Sequence, residues 1–320
     1  MLFSKNAILI FISIQNFLNM NLKNWIHAFR LRTLPLALSS IAMGAFLAVF
    51  FNAFRWDISL LAALTTIFLQ VLSNLANDYG DAQKGTDNQK RIGPERTVQS
   101  GKISVFAMRL AIIIFIGLSL ISGIVLISHG TQGMDLRVGI LFLVLGISAI
   151  AAAILYTVGK KAYGYSGLGD LFVFLFFGLL AVLGTFFLNT QFLRWDIWLP
   201  AASLGFLSTG VLNLNNLRDI ENDLSSGKIT IAVRLGIKRA KYYHFLLMAL
   251  ALISALVFNL MNLRNWLSLL WLLPIIPIFA IDLIKIAKIE DLKLLDPFLK
   301  KLALKTLLFV IIYGVCLVFS

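Results

Sequence analysis

Two short segments of the sequence concentrate acidic residues at the ends of apolar stretches. The first spans Asn77–Asp81 and is followed by Asp87, and the second spans Asp219–Asp223. Only 15 of the 320 residues are Asp or Glu, so this concentration stands out in the chain. Carboxylates crowded at a membrane boundary repel one another and resist dehydration. Mg²⁺ carrying a diphosphate would relieve this repulsion, because Mg²⁺ binds through one or two carboxylates together with substrate phosphates.

The spacing of these carboxylates predicts that they share helix faces. Asp219 and Asp223 are four residues apart, so on a continuing helix their Cβ atoms lie about 5–6 Å from each other. Asp78 and Asp81 are three residues apart and share a face in the same way. Like charges at these spacings destabilise a helix, which again favours a bound cation.

Asparagines precede both acidic segments by about one helical turn. An Arg-Trp-Asp-Ile string occurs at 55–58 and again at 194–197, and the same offset aligns two asparagine pairs: Asn74 and Asn77 with Asn213 and Asn216. This offset predicts a parallel duplication rather than an inverted one, although Arg-Trp-Asp is also typical of membrane interfaces. Buried amides without partners are costly. The asparagines therefore favour a binding site over a solvated helix end.

The elements that must position these residues are membrane helices. The chain is 59% hydrophobic with mean hydropathy +0.89, too apolar for a soluble protein of this length. We expect Gly80 and Gly85 to mark where the second span unwinds toward Asp87. The apolar runs predict an all-α polytopic membrane protein with about nine spans, near 34–52, 58–76, 103–127, 137–158, 168–188, 196–216, 241–259, 265–286 and 302–319.

The net charge of +13 follows the predicted topology. Segments after the even-numbered spans hold most of the Lys and Arg residues, whereas the opposite loops hold one basic residue each. The positive-inside rule therefore places both acidic segments on the cytoplasmic side. This distribution argues against nucleic acid as a partner. Because Cys316 is the single cysteine, no intrachain disulfide is possible.

Residues 1–19 do not fit the membrane domain. Ala7–Leu18 is apolar but short, and no small-residue cleavage site follows it, which argues against a signal peptide. Met20 begins a segment that reads like a second translation start. We therefore expect residues 1–19 to be a dispensable extension and residues 20–320 to form the functional domain.

Three polar segments supply cationic or aromatic candidates. Arg91 and Arg96 flank a Gly-Pro turn, and arginines on a rigid turn suit phosphate or carboxylate capture. Tyr156 and Lys160 follow the fourth span, where they fit either a shaped loop on the active side or anchors that snorkel to the interface. Arg30 fits a substrate carboxylate or phosphate, or anchoring at a helix start. Asp170 and Arg32 are further candidates in two of these segments.

These motifs resemble those of the UbiA superfamily of intramembrane prenyltransferases. Asn77-Asp78-x-x-Asp81 and Asp219-x-x-x-Asp223 match its paired aspartate motifs, and Tyr156-x-x-x-Lys160 matches its loop motif. The displacement of the last aspartate of the first motif to Asp87 is shared with the naphthoate-prenylating group of the superfamily. Longer strings similar to that group lie at 73–81, 91–94, 99–101, 164–169, 215–223 and 227–236.

The resemblance implies a fold and an activity. The fold would be a UbiA-like bundle around a central intramembrane cavity, in a bacterial cytoplasmic membrane with its active-site loops facing the cytoplasm. The reaction would be Mg²⁺-dependent transfer of a polyprenyl group from polyprenyl diphosphate to 1,4-dihydroxy-2-naphthoate, with loss of CO₂, giving demethylmenaquinone. The implied partners are the two substrates and the lipid bilayer, with no nucleic acid and no obligatory protein partner.

The resemblance and the spacings together assign roles to individual residues. Mg²⁺ would be held by Asp78, Asp81, Asp219 and Asp223. These four form the expected catalytic set together with Tyr156 and Lys160. The residues expected to bind substrate are Arg30, Asn74, Asn77, Asp87, Arg91, Arg96, Asn213 and Asn216.

Two alternatives stay open. A member of the same superfamily could prenylate another aromatic acceptor, such as 4-hydroxybenzoate. An ion-coupled transporter could use the acidic residues as cation or proton sites. A transporter predicts carboxylates near the middle of the membrane and broken helices around them, whereas these carboxylates lie at predicted helix ends.

Overall fold

The computed structural model describes residues 22–86, 92–262 and 264–319. Within these ranges every regular element is helical, and nine helices are long and apolar enough to cross a membrane. The predicted all-α polytopic architecture is therefore confirmed. The spans are Leu22–Phe50, Trp56–Gln83, Val105–Gly130, Leu136–Leu155, Gly169–Thr190, Trp195–Arg218, Ile231–Met261, Trp266–Lys288 and Leu292–Val318.

The described part of the chain contains twelve α-helices, and all except Ile220–Ser225 belong to these spans. They are α1 (Leu22–Phe29), α2 (Leu34–Phe50), α3 (Trp56–Gln83), α4 (Val105–Gly130), α5 (Leu136–Leu155), α6 (Gly169–Val173), α7 (Ala181–Thr190), α8 (Trp198–Arg218), α9 (Ile220–Ser225), α10 (Ile231–Met261), α11 (Leu272–Lys288) and α12 (Asp296–Val318). A π-helical segment, Phe174–Leu180, joins α6 to α7. Short 3₁₀ turns cover Leu31–Thr33, Tyr163–Tyr165, Trp195–Ile197, Trp266–Leu269 and Leu292–Leu295.

Polar residues at the loop ends fix where several helices begin. Ser104 Oγ accepts from the backbone N–H of Ala107 at the start of α4. Thr230 Oγ1 does the same for Val233 at the start of α10. Each cap satisfies one of the backbone donors that the first helical turn leaves unpaired. The apolar runs therefore become helices with defined first residues.

The bundle is organised around α2 and α8. α2 packs against α3, α7, α8 and α12, so it joins the early and late halves of the chain. α3 packs mainly on α4 and α5, and α8 packs on α10, α12 and the π-helical segment. α5 is the least buried of the spans and faces outward on most sides, whereas α8 is the most buried. The space enclosed between α3, α5 and the π-helical segment forms the cavity described below.

The π-helical segment crosses α8 at two glycines. A Cβ on Gly178 would lie 2.5 Å from Gly205 Cα, and a Cβ on Gly205 would lie 2.6 Å from the Phe174 ring. Contacts this short are not tolerated, so both positions need a residue without a side chain. The close crossing fixes the π-helical segment beside the interior, where Phe176 and Phe177 line the cavity.

The repeated Arg-Trp-Asp-Ile strings occupy equivalent places in the fold. Arg55 pairs with Asp57 at 3.1 Å at the start of α3, and Arg194 pairs with Asp196 at 2.8 Å just before α8. Each string thus begins a long helix that carries an acidic segment at its other end. The local ion pairs match in both copies, as the duplication predicts.

The two acidic segments meet at one end of the bundle, here called the acidic end and defined by Asp78–Asp81 and Asp219–Asp223. Asn222 Nδ2 donates to the backbone oxygen of Thr86 at 3.0 Å, which joins α9 to the end of α3. The Arg-Trp-Asp-Ile strings mark the opposite end. Both acidic segments therefore lie on the same side, in agreement with the sequence.

The expectation that the second span unwinds from Gly80 is wrong. α3 continues through this glycine to Gln83, because Gly80 lets the helix pack directly on Thr157. A Cβ on Gly80 would lie 2.6 Å from Thr157 Oγ1. The chain does leave the helix near Gly85, which adopts a left-handed conformation with φ of 70°. The turn therefore comes after both carboxylates of the first segment.

The expectation of a continuous helix through the second acidic segment also needs correction. α8 ends at Arg218 and α9 begins at Ile220, with Asp219 between them at φ −97° and ψ 13°. The backbone N–H of Asp223 still bonds to the Asp219 oxygen at 2.8 Å. The two aspartates remain one turn apart, but on either side of a bend.

We expect Gly178→Ala to lower the thermal midpoint of the purified protein. The added methyl group forces apart the π-helical segment and α8, and overpacking of this kind typically costs about 1–3 kcal/mol. Gly117→Ala is the control, because a Cβ there meets nothing within 4 Å, and its higher helix propensity should stabilise by about 0.5–1 kcal/mol. Equal midpoints for the two variants would contradict the crossing.

Candidate active site

A cavity of about 740 Å³ runs from the acidic end into the middle of the bundle. Its wall carries charged side chains where it meets the acidic segments and mostly apolar side chains farther along, such as Leu126, Ile127 and Leu188. Because the lining positions on α3 recur every three or four residues, a single face of the helix borders the cavity. Those positions are Ala62, Thr65, Thr66, Leu69, Gln70, Ser73, Asn74, Asn77, Asp78 and Asp81.

Asp78 anchors the loop that follows the first acidic segment. Its carboxylate is buried and accepts from Thr97 Oγ1 at 2.7 Å and from the backbone N–H groups of Thr97 at 3.1 Å and Val98 at 3.3 Å. Backbone donors of this kind stabilise a buried carboxylate. They also hold the neighbouring Arg96 over the cavity.

Asp81 lies where three segments converge. Tyr165 donates its hydroxyl hydrogen to Asp81 Oδ1 at 2.8 Å, and Arg96 Nη2 lies 3.5 Å from Asp81 Oδ2. The Tyr165 hydroxyl also bonds to the hydroxyl of Thr86. Lys84 Nζ sits 3.9 Å from the centre of the Tyr165 ring. The Tyr165 hydroxyl and the Arg96 guanidinium therefore both stabilise the negative charge of the buried Asp81.

The second acidic segment is held by an arginine that sequence reasoning missed. Arg218 is almost fully buried and binds Asp219 through two hydrogen bonds, at 3.0 Å and 2.6 Å. The same guanidinium bonds to Asp296 at the start of α12 and to Asn215 Oδ1 at 2.9 Å. Arg218 and Asn215 both line the cavity, so the end of α8 presents a fixed cation to it.

Lys228 connects the two acidic segments. Its Nζ lies 3.5 Å from Asp223 Oδ1, and the side chain lines the cavity although the residue is buried. Burial raises the pKa of Asp223 to about 6, and the positive charge of Lys228 opposes that rise. Burial by itself would lower the pKa of Lys228, but the charges of Asp223 and Asp81 raise it overall, so the amine stays protonated. Lys228 is therefore a fixed positive charge between both carboxylate sets.

Tyr156 lies on the cavity wall where α5 ends. Burial raises its pKa to about 12, so the phenol keeps its hydrogen at neutral pH. Gly164 and Gly169 pack against it, since a Cβ at either position would come within about 3 Å of the tyrosine ring. The ring also meets Tyr163 edge-on, with centroids 5.4 Å apart. The absence of side chains at Gly164 and Gly169 therefore leaves room for the Tyr156 ring.

The asparagines of the first segment have structural bonds beside the cavity. Asn74 Nδ2 donates to the Phe29 oxygen at 2.9 Å and to Thr33 Oγ1 at 3.0 Å. These bonds hold the turn containing Arg30, which adopts φ of 49° and lines the cavity. Asn77 Oδ1 accepts from Thr157 Oγ1 at 3.2 Å. Both asparagines and Arg30 therefore reach the predicted site.

Five of the predicted residues that the structure describes do not line the cavity: Lys160, Asn213, Asn216, Asp219 and Asp223. Asp219 and Asp223 adjoin it through their ion-pair partners Arg218 and Lys228, which do line it. Lys160 is exposed in the loop after α5. Asn213 donates to the Ala240 oxygen of α10 at 3.1 Å, and Asn216 is buried on the same side of α8, away from the cavity. On α8 the cavity is lined by Asn215 instead. The lining positions are thus shifted by one residue from the asparagines that the repeat predicted. The predictions for Asp87 and Arg91 fall outside the described residues.

The residues at the acidic end fit a divalent cation completed by a phosphorylated ligand. Among residues 22–86, 92–262 and 264–319, no group of three or more His, Cys, Asp or Glu side chains could hold a metal by itself. Buried oxygens without hydrogen-bond partners nevertheless remain on Asn222 and Asp223 of the second acidic segment. Carboxylate and amide oxygens are hard donors, and Mg²⁺ typically takes few of them and fills its remaining positions with phosphate oxygens and water.

Comparison with known proteins decides the family. The model of the UbiA prenyltransferase family matches residues 37–305. The chain belongs to this family. A 1,4-dihydroxy-2-naphthoate octaprenyltransferase of Haemophilus influenzae is 48% identical over 244 residues, which cover 75% of this chain and 78% of that protein. The Escherichia coli protein of the same name is 46% identical over 236 residues, covering 74% of this chain and 76% of its own length.

The fold agrees with that of other UbiA proteins. The structure of a UbiA homolog from Archaeoglobus fulgidus bound to GPP and Mg²⁺ superposes with a TM-score of 0.65. It covers 93% of this chain and all of that one at 18% sequence identity. The apolar helices and this similarity make the protein an integral membrane protein with a UbiA-like bundle, as the sequence predicted.

We expect Lys228→Met to weaken binding of geranyl diphosphate strongly. The substitution removes the buried cation between the acidic segments, and a hydrogen bond to a charged group typically contributes about 1.5–3 kcal/mol, or roughly ten- to a hundredfold in affinity. Lys160→Met is the matched control and should bind nearly as the unmodified protein does. Titration of both variants with the diphosphate measures the difference. A stronger loss for Lys160→Met would restore the sequence-based assignment.

Proposed function

We propose that this protein transfers a polyprenyl group from polyprenyl diphosphate to 1,4-dihydroxy-2-naphthoate, with release of diphosphate and loss of CO₂, giving the hydroquinone form of demethylmenaquinone. One observation supports this proposal above all. Two acidic segments and three buried cations lie together at the mouth of a long, mostly apolar cavity. The polar mouth suits a diphosphate, and the apolar remainder suits an isoprenoid tail. The naphthoate acceptor is supported by the relatives that are 48% and 46% identical.

The acidic end would bind the diphosphate head group. Arg96, Arg218 and Lys228 line the cavity with positive charge that is already fixed by buried ion pairs. Preorganised charges of this kind stabilise negative charge that develops on a leaving group. Asp78, Asp81, Asp219 and Asp223 are the residues proposed to hold Mg²⁺. When bound, Mg²⁺ neutralises part of the charge on the departing diphosphate.

Bond formation requires an electrophilic carbon that water cannot reach. Cleavage of the allylic carbon–oxygen bond leaves a carbocation-like carbon, which the electron-rich naphthoate ring attacks. The aromatic wall of Tyr156, Tyr163 and Phe172 stands beside the polar mouth, with Tyr163 and Phe172 stacked at 4.1 Å. Such a wall excludes water from the reacting carbon and offers a flat surface to an aromatic acceptor. Loss of CO₂ from the prenylated acceptor completes the reaction.

The charge distribution supports a proposal for the location and orientation of the protein. We place the protein in a bacterial cytoplasmic membrane with the acidic end toward the cytoplasm. Basic residues concentrate in the segments at the acidic end, which is the cytoplasmic bias expected of membrane proteins. This orientation gives both charged substrates access to the cavity mouth from the cytoplasm.

The test is a product assay with alternative acceptors. The purified protein is incubated with radiolabelled polyprenyl diphosphate, Mg²⁺ and either 1,4-dihydroxy-2-naphthoate or 4-hydroxybenzoate. We expect prenylated product and released CO₂ with the naphthoate and little product with the benzoate. Omission of Mg²⁺ should abolish transfer. Preferential use of 4-hydroxybenzoate would overturn the acceptor assignment, and Mg²⁺-independent transfer would overturn the metal assignment.

We expect Asp78→Ala and Asp219→Ala to abolish most Mg²⁺-dependent transfer in inserted, folded protein. Loss of one preorganised group that stabilises transition-state charge commonly reduces turnover roughly a hundredfold or more. Glu221→Ala is the control, because Glu221 belongs to the same acidic segment but is exposed. Rates are measured at saturating Mg²⁺. Near-normal turnover in either aspartate variant would rule out its place in the metal site.

A further inference from the structure

We propose that two glycines, Gly123 of α4 and Gly146 of α5, keep open the deep part of the cavity and thereby set which prenyl tails the enzyme accepts. This inference rests on the proposed function for the identity of the tail. Selectivity for the length of the prenyl tail would then depend on two positions without a side chain, far from the charged mouth of the cavity.

Four residues of α5 that line the cavity have no side chain or only a methyl group: Gly146, Ala149, Ala152 and Ala153. Gly146 and Ala149 lie in the middle of the face that borders the cavity, and Phe142 lies one turn beyond them. The other faces of α5 carry large exposed residues, including Val144 and Ile147. Small residues on α5 are therefore concentrated where the helix borders the cavity, which leaves space there.

The two glycines are not needed for helix packing. A Cβ built on Gly146 meets nothing within 4 Å, and one on Gly123 meets only Thr65 Cγ2 at 3.8 Å. Gly178 and Gly205, by contrast, permit a close helix crossing. Glycine destabilises a helix interior relative to alanine. Open space in the cavity is the structural feature that these two glycines provide.

Their depth places them beyond the reach of a short tail. Gly146 is ten residues before Tyr156 on α5, and Thr65, beside Gly123, is thirteen residues before Asp78 on α3. At the rise of an α-helix these separations are roughly 15 Å and 20 Å along the axis. A main chain of eight carbons, as in a geranyl group, extends on the order of 10 Å by ordinary bond geometry. A longer tail must pass the glycines.

Phe142 lies on the wall of this deep part, at the far end of the α5 residues that line the cavity. Its ring stacks on Phe187 of α7, with centroids 5.3 Å apart and planes 22° apart. Phe142 and Gly146 are four residues apart and share one face of α5. A large side chain at Gly146 would therefore compete with the tail for the volume next to Phe142, and removal of the Phe142 ring would return volume.

The experiment compares geranyl and octaprenyl diphosphates as substrates, with kcat/KM measured for each. We expect Gly146→Leu to lower the octaprenyl-to-geranyl ratio by roughly tenfold or more, since a few methylene groups in an apolar pocket discriminate by that amount. Gly123→Leu, on the facing helix, should lower the same ratio and carries the test if Gly146→Leu does not insert. Gly117→Leu is the matched control, because Gly117 also has open space around it but does not line the cavity.

A compensating variant separates tail selectivity from damage to the fold. The double variant Phe142→Ala/Gly146→Leu should recover part of the octaprenyl-to-geranyl ratio that Gly146→Leu loses. Equal losses for both substrates, or an unchanged ratio, in both glycine variants would overturn the inference. Binding of the two diphosphates without an acceptor gives the same ratio independently. A protein that discriminates tails but does not prenylate the naphthoate would therefore refute the proposed acceptor and leave the inference standing.

Discussion

Buried negative charge at the acidic end is the constraint on which the rest of the structure depends. Asp78, Asp81, Asp219 and Asp223 are each at most about 5% exposed, and an isolated buried carboxylate is strongly disfavoured. Each one has its own compensation. Backbone N–H groups bind Asp78, a tyrosine and an arginine serve Asp81, Arg218 binds Asp219, and Lys228 pairs with Asp223. The partners of Asp78 and Asp81 come from other segments, and Arg218 also pairs with Asp296, so satisfying the charges joins separate parts of the chain.

The side chains that neutralise the buried aspartates also contribute to the proposed substrate site. The cations that neutralise the aspartates line the cavity, where the proposed diphosphate would bring further negative charge and the proposed divalent ion would balance part of it. Oxygens on Asn222 and Asp223 remain without hydrogen-bond partners, so protein groups alone do not saturate the site. Below this mouth the wall becomes mostly apolar, and Phe142 lines its deep part. Head-group capture and tail accommodation are thereby separated along one axis of the bundle.

Much of the fold and part of the site could be predicted from the sequence. Hydropathy gave nine spans because a bilayer imposes a length on apolar helices, and charge bias placed both acidic segments on one side. Residues on the face of α3 were found because helical spacing is local. On α8 the repeat predicts Asn213 and Asn216, whereas Asn215 lines the cavity. The predicted face is therefore shifted by one residue.

The cations were harder to predict because their roles depend on tertiary contacts. Lys228 is twelve residues past Asn216 and separated from α8 by two bends, so no helical period relates it to the site. Arg218 resembles a basic residue that anchors a helix end until its burial is known. Lys160 matches the spacing of the family's loop motif, but it lies exposed in the loop after α5. The glycines that widen the cavity also carry no sequence signal, because open space is a property of the packed bundle.

The central claim is that both acidic segments bind one diphosphate together. A double-mutant cycle tests it most directly, with Asp81→Asn, Asp223→Asn and the double variant titrated with geranyl diphosphate in the presence of Mg²⁺. Groups that share one ligand are expected to couple by about 0.5–3 kcal/mol in binding free energy. The account predicts such non-additive losses. Strictly additive losses in folded protein would contradict it, since the two segments would then act on the ligand independently.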